Sequence, residues 1–333
     1  MFANRVQLNL MPTDLFVRRP LLWTTFLSRK RATLTASPNF GYRHYLKVLG
    51  ERPLEGVDLT AVRQILNGAE PISVELCDEF MDRLAPARLA REAMYPVYGL
   101  AEATVGVTVS KPGGRYRSVR INRHELRVGD RVQEAQAGDP AALALVHVGR
   151  PLPNVELRLA DDADRAVPEG AVGHIQLRSD SVTAGYFGAP EATAAAFCAD
   201  GWLRTGDLGF LHEGELVIAG RAKEIIFVNG QNYYPHDIES IAQQAPGLEL
   251  GKVAAAGCRP PGADTEMLVL FVLHRGPLAD FLPVARAVTH RVNEHAGLEV
   301  ALVVPIKRMP KTTSGKVQRV ALEQAYLAGE FDA

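Results

Sequence analysis

Short apolar segments that alternate with helical stretches constrain the first two hundred residues more than any other feature of the sequence. Residues 31–37, 62–66 and 95–98 have the length of buried strands, and each is followed by proline, asparagine or glycine. A helical pattern begins after Ser73, a favourable N-cap residue, and places Cys77 and neighbouring apolar residues on one face. Alternation of this kind predicts an α/β layer architecture.

The rest of the chain changes character twice. Short strands with alternating apolar side chains predict a small β-rich subdomain, and from residue 221 a new pattern predicts an α+β domain of about 110 residues. In that domain the predicted strands are 253–258, 267–274 and 300–306, and the predicted helices begin near His236 and Leu278. The predicted segments are a partial α/β portion at 1–150, a β-rich subdomain at 151–220 and a C-terminal α+β lid domain at 221–333.

The charge balance and the apolar content argue against several classes of protein. The 333 residues include 37 Lys and Arg against 38 Asp and Glu, a net charge of −1, whereas nucleic-acid binding usually requires a basic surplus. No apolar run reaches the roughly 18–20 residues that cross a bilayer. The cysteines Cys77, Cys198 and Cys258 are far apart, which favours buried apolar side chains. Residues 1–11 do not have the pattern of a secretory signal, so the reducing cytoplasm is the expected location. We therefore predict neither a nucleic-acid partner nor a membrane span.

The first chemically informative motif is YGLAEAT at residues 98–104. Tyr98 ends a predicted strand, Gly99 permits a bend, and Glu102 follows in the first turn of a predicted helix. An aromatic face can stack a nucleotide base, and a carboxylate can hold a hard cation such as magnesium. Taken alone, the motif favours a buried tyrosine and a glutamate that complements the helix dipole.

Two further motifs precede the C-terminal domain. In RTGDLG at residues 204–209, Asp207 lies where the backbone can approach a ligand, and its carboxylate can accept both hydroxyls of a ribose. A turn in which the aspartate bonds its own backbone is the common alternative. In GRAKE at residues 220–224, Arg221 can bind a ribose or phosphate and Lys223 can serve as a hinge, whereas an ordinary turn before a capped helix is the alternative.

The fourth motif is PKTTSGKV at residues 310–317, a polar loop of small residues that presents Lys316 near a predicted helix. Such a loop is suited to contacting a carboxylate or a phosphate. It is not a phosphate-cradling loop of the G-x-x-x-x-G-K-[ST] kind, because the first glycine is missing and Val317 replaces the hydroxyl residue. A flexible basic surface loop is the alternative interpretation.

In this order, the four motifs resemble those of the adenylate-forming superfamily of acyl-CoA synthetases, luciferases and peptide-synthetase adenylation domains. YGLAEAT is similar to the family's aromatic-G-x-x-E motif, RTGDLG to its ribose-binding T-G-D, GRAKE to its hinge and KTTSGKVQR to its catalytic-lysine loop. NGAEPIS at residues 67–73 resembles the adenine-facing segment, and RPLPNVELRL and VTAGYFG match structural signatures. The resemblance spans essentially the whole chain. It implies the C-terminal part of the family's large domain, with α/β layers and a β-rich subdomain, followed by a small mobile α+β domain.

Within the superfamily, the chain resembles the fatty acyl-AMP ligases. SPNFGY at residues 37–42, YGLAEAT rather than YGLTE, and NGQNYYPHDIE at residues 229–239 are similar to that branch. Residues 110–136 lie where those enzymes carry an inserted segment, which in that family restrains the small domain. The resemblance therefore implies ATP-dependent activation of a fatty acid to an acyl-adenylate, with an acyl carrier protein rather than CoA as the acceptor.

The resemblance also implies a role for each matched residue, with ATP and magnesium as cofactors. The implied residues are Asn67, Gly68, Ala69, Glu70, Tyr98, Gly99, Asp207 and Arg221 at the nucleotide, Glu102 at magnesium, Lys223 as the hinge, Lys316 as the catalytic residue, and Asn39, Phe40, Gly41 and Tyr42 at the acyl pocket. Lys316 would bridge the attacking carboxylate and the α-phosphate and stabilise the charge of the transition state.

One family feature has no counterpart in this sequence. The glycine- and hydroxyl-rich phosphate loop, which normally precedes these motifs, matches no segment of the chain. We therefore expect the chain to correspond to roughly the C-terminal 55–60% of such an enzyme, with exposed apolar edges that a missing N-terminal half would cover. An acyl-CoA or aryl-CoA ligase is the alternative within enzymes. A non-catalytic fragment or split subunit that needs a partner is the alternative of a different class.

Overall fold

The computed structural model describes residues 5–136, 138–139, 141–228, 231–249, 251–260, 265–312 and 316–331. The chain divides into two compact units. Unit 1 contains Met1–Ser118, Leu145–Val155 and Ser179–Thr183, and unit 2 contains Val119–Ala144, Glu156–Arg178 and Ala184–Ala333. These units cross the predicted boundaries at residues 150 and 220, because most of the β-rich segment falls in one unit with the C-terminal segment. The division into three segments stays a prediction.

The helices and strands up to residue 151 are α1 (Thr13–Arg18), α2 (Leu22–Lys30), β1 (Leu34–Ala36), α3 (Asn39–Leu49), β2 (Gln64–Asn67), α4 (Val74–Leu84), β3 (Met94–Tyr98), β4 (Thr108–Val109), β5 (Ser118–Asn122), β6 (Ala142–Val146) and β7 (Arg150–Pro151). Those that follow are β8 (Glu156–Ala160), β9 (Gly173–Arg178), α5 (Pro190–Ala196), β10 (Leu203–His212), β11 (Glu215–Arg221), β12 (Ile226–Val228), β13 (Gln231–Tyr233), α6 (Pro235–Ala242), β14 (Val253–Cys258), β15 (Met267–Leu273), α7 (Leu278–Ala296), β16 (Val300–Ile306) and α8 (Arg319–Leu327). Short 3₁₀ turns cover Ala85–Ala87, Arg91–Ala93, Ala101–Ala103 and Ala222–Glu224.

Unit 1 is built on a five-stranded sheet with the strand order β1-β2-β3-β4-β7. The first three strands are parallel, with Asn67 of β2 opposite Pro96 of β3, whereas β4 and β7 are antiparallel to their neighbours. Because the carboxyl ends of parallel strands meet at one edge, the segments that begin at Gly68 and Gly99 start beside each other. This edge is the usual ligand-binding edge of an α/β sheet.

The core of unit 1 is an aromatic cluster contributed by α2, α3 and α4. The rings of Trp23 and Phe80 stack with their centroids 5.8 Å apart, and Tyr42 meets Phe80 edge-on at 4.8 Å. The predicted cap of α4 is confirmed, since Ser73 Oγ accepts the N–H of Leu76 at 3.2 Å. The amphipathic pattern of α4 therefore determines both where the helix begins and which face it buries.

Unit 2 contains two larger sheets. One is an antiparallel sheet with the order β11-β10-β9-β8, and the other has the order β14-β15-β16, in which β15 and β16 are parallel. Apolar residues of α6 and α7 pack on one face of the second sheet, as Ile238 and Val288 illustrate, and Leu322 of α8 packs on the other. Burial on both faces explains the continuous apolar runs of β14 and β15.

The predicted bounds of the C-terminal elements are largely confirmed. Strands β14 and β16 match the predicted ranges 253–258 and 300–306, and α7 begins at Leu278 as expected. Unit 1 departs more from prediction, because β1 is shorter than the range 31–37 and β2 begins two residues later than residue 62. Across the described part of the chain, no helix combines the length and apolar character that a membrane span needs.

Candidate active site

The carboxyl ends of β2 and β3 bring predicted nucleotide residues of unit 1 together. Gly68 follows β2 and lies against β3, where an added Cβ would come within 2.7 Å of the Val97 carbonyl oxygen. Only glycine allows two backbones to approach so closely. Gly68 and its successor Ala69 are therefore held beside the end of β3, where Tyr98 and Gly99 follow Val97.

Glu70 makes a helix contact that the sequence did not predict. Its Oε1 accepts the N–H of Phe40 at 2.9 Å, in the first turn of α3. A carboxylate at this position satisfies one of the helix's unpaired N–H groups and complements the helix dipole. The Glu70 carboxylate therefore ties the predicted adenine segment to the predicted acyl-pocket segment, and its role at the nucleotide stays a prediction. Ala69, which precedes it, has a left-handed φ of +69°, and such strain is common in ligand-binding loops.

Asn39 and Asn67 form a buried polar link between the same two segments. Asn67 Nδ2 donates to Asn39 Oδ1 at 3.2 Å and to Cys77 Sγ at 3.4 Å, and Asn39 Nδ2 donates to the Pro71 carbonyl. Burial raises the pKa of Cys77 to about 12, so the thiol stays neutral. The Asn67 side chain is completely buried and links the two loops, and its nucleotide role stays a prediction.

The remaining predicted acyl-pocket residues divide into one exposed residue and two buried ones. Phe40 is exposed and stacks on His44, with the ring centroids 5.7 Å apart. Gly41 and Tyr42 are buried in α3, and the Tyr42 hydroxyl donates to the Leu66 carbonyl at 3.0 Å. Burial raises the pKa of Tyr42 well above its usual value. The Tyr42 ring belongs to the aromatic core, and the acyl-pocket role of these residues stays a prediction.

Glu102 lies in the 3₁₀ turn Ala101–Ala103 and not in the predicted helix. The turn does not continue as a helix, because Thr104 and Val105 both have left-handed backbone angles, with φ values of +51° and +80°. The Val105 carbonyl folds back on Gly99, where an added Cβ would lie 1.5 Å from its oxygen. Such a conformation is strained for a β-branched residue. The strained turn places Glu102 immediately beyond the ligand-binding edge of the sheet.

The Glu102 carboxylate fits the way in which magnesium is usually held in nucleotide sites. Among the described residues, no group of three or more His, Cys, Asp or Glu side chains gathers as a metal site. Magnesium generally takes one or two protein carboxylates together with substrate phosphates and waters, rather than a cage of protein ligands. The half-buried carboxylate of Glu102 suits that arrangement.

Asp207 and Arg221 are brought together in unit 2. They are direct partners on the antiparallel strands β10 and β11, and Arg221 Nε lies 3.2 Å from Asp207 Oδ1. The Asp207 N–H donates to Thr205 Oγ1 at 3.1 Å, and the Thr205 hydroxyl donates to the Ile175 carbonyl at 2.8 Å. Asp207 is nearly buried, whereas Arg221 is largely exposed. The pair is therefore preorganised to bind vicinal hydroxyls, with carboxylate acceptors and guanidinium donors side by side.

Lys223 lies in the 3₁₀ turn Ala222–Glu224, directly after β11. Its side chain is exposed, so the residue contributes backbone to the turn rather than packing. Residues at the ends of elements are those that absorb rotation in hinge motions. The position is compatible with a hinge, a role that stays a prediction.

Lys316 has an exposed side chain on an ordered stem. Residues 313–315 of its loop lie outside the described residues. Lys311 and Val317 are antiparallel bridge partners, and the Thr312 N–H donates to the Lys316 carbonyl at 2.8 Å. In return, the Lys316 N–H donates to Thr312 Oγ1 at 3.1 Å. The stem therefore fixes the backbone of Lys316 and leaves its side chain in solvent.

The predicted insert at residues 110–136 makes buried contacts with the segment at the start of helix α6. Arg123 Nη1 donates to Asp237 Oδ2 at 2.8 Å, and the two side chains are only 9% and 10% exposed. The Tyr234 hydroxyl donates to the carbonyl of Leu126, which is also buried, at 3.0 Å. These contacts attach the insert to the start of α6. They were not predicted, because no local pattern marks partners more than a hundred residues apart.

Comparison with protein families identifies the chain. The family model for AMP-binding enzymes matches residues 1–187, which include the sheet edge with Gly68, Tyr98 and Glu102. The chain belongs to the AMP-binding enzyme family. Its fold is that of the adenylate-forming enzymes, as the motif resemblance implies.

Named relatives of this AMP-binding protein match nearly all of its length. The 4-hydroxyphenylalkanoate adenylyltransferase of Mycobacterium tuberculosis is 38% identical over 97% of this chain and 54% of that protein. The long-chain-fatty-acid–AMP ligase FadD26 of Mycobacterium marinum is 34% identical over 95% of this chain and 57% of that protein. A structure from work on fatty acyl-adenylate ligases of E. coli and L. pneumophila has a TM-score of 0.86 and 30% identity, over 96% of this chain and 57% of that chain. The chain therefore spans little more than half the length of these relatives.

Proposed function

We propose that this chain carries the ribose-binding and lid functions of a fatty acyl-AMP ligase, which activates a fatty acid with ATP to an acyl-adenylate. The observation that carries the proposal is the preformed Asp207–Arg221 pair, which stands just ahead of Lys223 in the unit that also contains the exposed Lys316. These residues match the family motifs in order. The names of the relatives, an adenylyltransferase and a fatty-acid–AMP ligase, support the same reaction.

The reaction requires charge stabilisation more than acid–base catalysis. An oxygen of the fatty-acid carboxylate attacks the α-phosphorus of ATP, and a new P–O bond forms. The bond between the α-phosphorus and the oxygen that bridges to the β-phosphorus breaks, and pyrophosphate leaves with that electron pair. Lys316 would neutralise charge on the carboxylate and the phosphate, while Asp207 and Arg221 hold the ribose. Magnesium, held by Glu102, would neutralise the negative charge of the phosphates.

The buried Arg123–Asp237 pair favours an acyl-AMP ligase over a CoA ligase. It ties the predicted insert to helix α6, which belongs to the predicted lid. A lid held in this way turns less readily to expose the adenylate to CoA. We therefore infer that the acyl group passes to an acyl carrier protein, and an acyl-CoA or aryl-CoA ligase is the second candidate.

A non-catalytic subunit that needs a partner is the candidate from a different class. The motif analysis favours it in one respect, because the family's phosphate loop matches no segment of this sequence. Such a chain would bind nucleotide weakly through Asp207 and Arg221. It would form adenylate only when a partner, or a further stretch of chain, supplied the remaining part of the large domain.

Mass spectrometry of acyl-adenylate formation tests the proposal. The chain is incubated with magnesium, ATP and fatty acids of increasing length, with and without CoA. We expect an acyl-adenylate that CoA does not consume. Lys316→Ala should lower kcat by about 10²–10³-fold while ATP affinity changes by about twofold or less, since the lysine acts on transition-state charge.

Lys307→Ala, at another exposed lysine of unit 2, is the matched control and should retain wild-type activity. An acyl-CoA product would identify a CoA ligase. No adenylate from folded protein would support the non-catalytic candidate. Full activity of Lys316→Ala would remove the lysine from the mechanism.

A further inference from the structure

Arg319, the first residue of α8, lies at the centre of a partly buried ionic network three residues beyond Lys316. Its Nε and Nη2 atoms donate to the two carboxylate oxygens of Glu239, and Nη1 donates to Glu224 Oε2, each at 2.8 Å. The side chain of Arg319 is 18% exposed, that of Glu224 24% and that of Glu239 10%. The network therefore joins the turn that contains Lys223, helix α6 and the start of α8.

The geometry of this network requires arginine. A planar guanidinium can hold one carboxylate in a two-pronged contact and still serve a second carboxylate, which an ammonium group cannot do in the same arrangement. Burial alone would lower the pKa of Arg319, but the bonds and charges of Glu239 and Glu224 raise it above its usual value. Glu239 Oε1 also accepts the N–H of Ala255 in β14 at 2.9 Å. Arg319 is thus linked through Glu239 to the buried strand β14.

The stem of the Lys316 loop continues directly from this anchor. The Gln318 N–H donates to the Pro310 carbonyl at 3.0 Å, which closes the stem immediately before α8. Val317 packs against the apolar cluster that includes Leu322 of α8. The backbone of Lys316 is therefore separated from Arg319 only by a short, hydrogen-bonded and partly buried segment.

We propose that Arg319 is a positioning residue for Lys316, which it fixes to the Lys223 turn through Glu224. When the backbone rotates at Lys223, Glu224 and the backbone of Lys316 move together, so the lysine reaches the reacting groups in a defined orientation. The inference rests on the proposed function, in which Lys316 stabilises the transition state of adenylation. It gives Arg319, Glu224 and Glu239 a role that the family motifs and the named relatives do not assign.

Kinetics of two conservative variants test this role. Glu224→Gln weakens the tie to the hinge turn and keeps the bidentate Arg319–Glu239 contact, whereas Arg319→Lys keeps the charge and loses the fork. We expect both to lower kcat for adenylate formation by about tenfold, with the KM for ATP changed by about twofold or less, because only the orientation of a transition-state group is lost. Arg308→Gln, at an exposed arginine close to the loop, is the matched control and should keep the wild-type rate.

Hydrogen–deuterium exchange provides a readout that does not need activity. We expect amides in the peptide that contains Thr312 and Lys316 to exchange about tenfold faster in Glu224→Gln and Arg319→Lys, while the peptide that covers β15 is unchanged. Unchanged exchange around Lys316 in a folded variant overturns the proposal. A uniform increase throughout unit 2 also overturns it, because the network would then be merely structural.

The two proposals fail in distinguishable ways. If the wild-type chain forms no adenylate, the proposed function fails for this chain, and the exchange measurement still decides whether Arg319 orders the loop. If the exchange is faster as expected but kcat of an active enzyme is unchanged, the positioning role is refuted and the function stands. If Arg319→Lys does not fold, the outcome for Glu224→Gln decides.

Discussion

Breaking the Arg123–Asp237 pair should destabilise unit 2 strongly. The two side chains are 9% and 10% exposed, and their charged atoms are 2.8 Å apart. Removing one partner of such a pair costs about 3–5 kcal/mol, because the other charge stays buried without compensation. Asp237 lies in the first turn of α6, where the helix dipole contributes about 0.3–1 kcal/mol to a carboxylate. In Arg123→Met the helix dipole still stabilises Asp237, so we expect the free energy of unfolding to fall by about 3 kcal/mol. In Asp237→Leu the buried arginine keeps no such compensation, and the free energy of unfolding should fall by more.

The double variant isolates the interaction. Replacing both partners of a buried ion pair with apolar residues is often neutral, so Arg123→Met combined with Asp237→Leu should cost about 0–2 kcal/mol. The coupling energy would then be about 4 kcal/mol or more, well above the usual limit of additivity for independent sites. For a unit of about 200 residues, the single changes correspond to a fall of roughly 6–20 °C in melting temperature.

Urea denaturation followed by tryptophan fluorescence measures these values. The sequence contains two tryptophans, Trp23 in unit 1 and Trp202 in unit 2, so a Trp23→Phe background makes Trp202 the reporter of unit 2. Arg127→Met is the control, because Arg127 is exposed in the same segment, and it should change stability by about 0.5 kcal/mol or less.

Two results would refute this reasoning. One is a cost below about 1 kcal/mol for Arg123→Met with an unchanged urea dependence, since a buried carboxylate cannot lose its partner so cheaply. The other is strict additivity of the single changes in the double variant, which would mean that the two residues do not interact in solution.

Three further predictions concern stability. Ser73→Ala removes the N-cap of α4 and should cost about 1 kcal/mol in urea unfolding, and an unchanged midpoint would contradict the cap. Gly99→Ala would place a Cβ 1.5 Å from the Val105 carbonyl oxygen, so the turn must shift. We expect the free energy of unfolding to fall by roughly 1–3 kcal/mol, with a lower melting temperature. A wild-type melting temperature would disprove this expectation. Burial, and then the charge of Arg319, lowers the pKa of His236 to about 4. The fold therefore favours the neutral ring, so its contribution to stability should be complete above pH about 6.5 and should fall as the pH approaches 4. The upper limit of this loss is about 3 kcal/mol, and the partial exposure of the ring makes the expected loss smaller. In His236→Asn, the urea midpoint should depend less on pH across this range.

The amino-acid pattern by itself predicted the elements whose signals are local. Helix α4 begins at Ser73 and buries the predicted face, and β14 and β16 have the predicted bounds, because cap residues and apolar periodicity act within a few positions of the chain. The order of the four motifs likewise sufficed to predict the family, and it also predicted that Asp207 and Arg221 belong to one ribose site. The structure then placed these two residues opposite each other on neighbouring strands.

Other assignments depended on which distant segments meet in the folded chain. Glu70 carries the expected motif but caps α3 through Phe40, 30 positions away, and Tyr42 enters the aromatic core. The sequence assigned no partner to Arg123 or Arg319. In the structure Arg123 pairs with a carboxylate 114 positions away, and Arg319 pairs with carboxylates 95 and 80 positions away. Local patterns determine where helices and strands form and which faces they bury. The partner of a buried charge is determined only when packing removes water from both groups, so tertiary structure alone decides it.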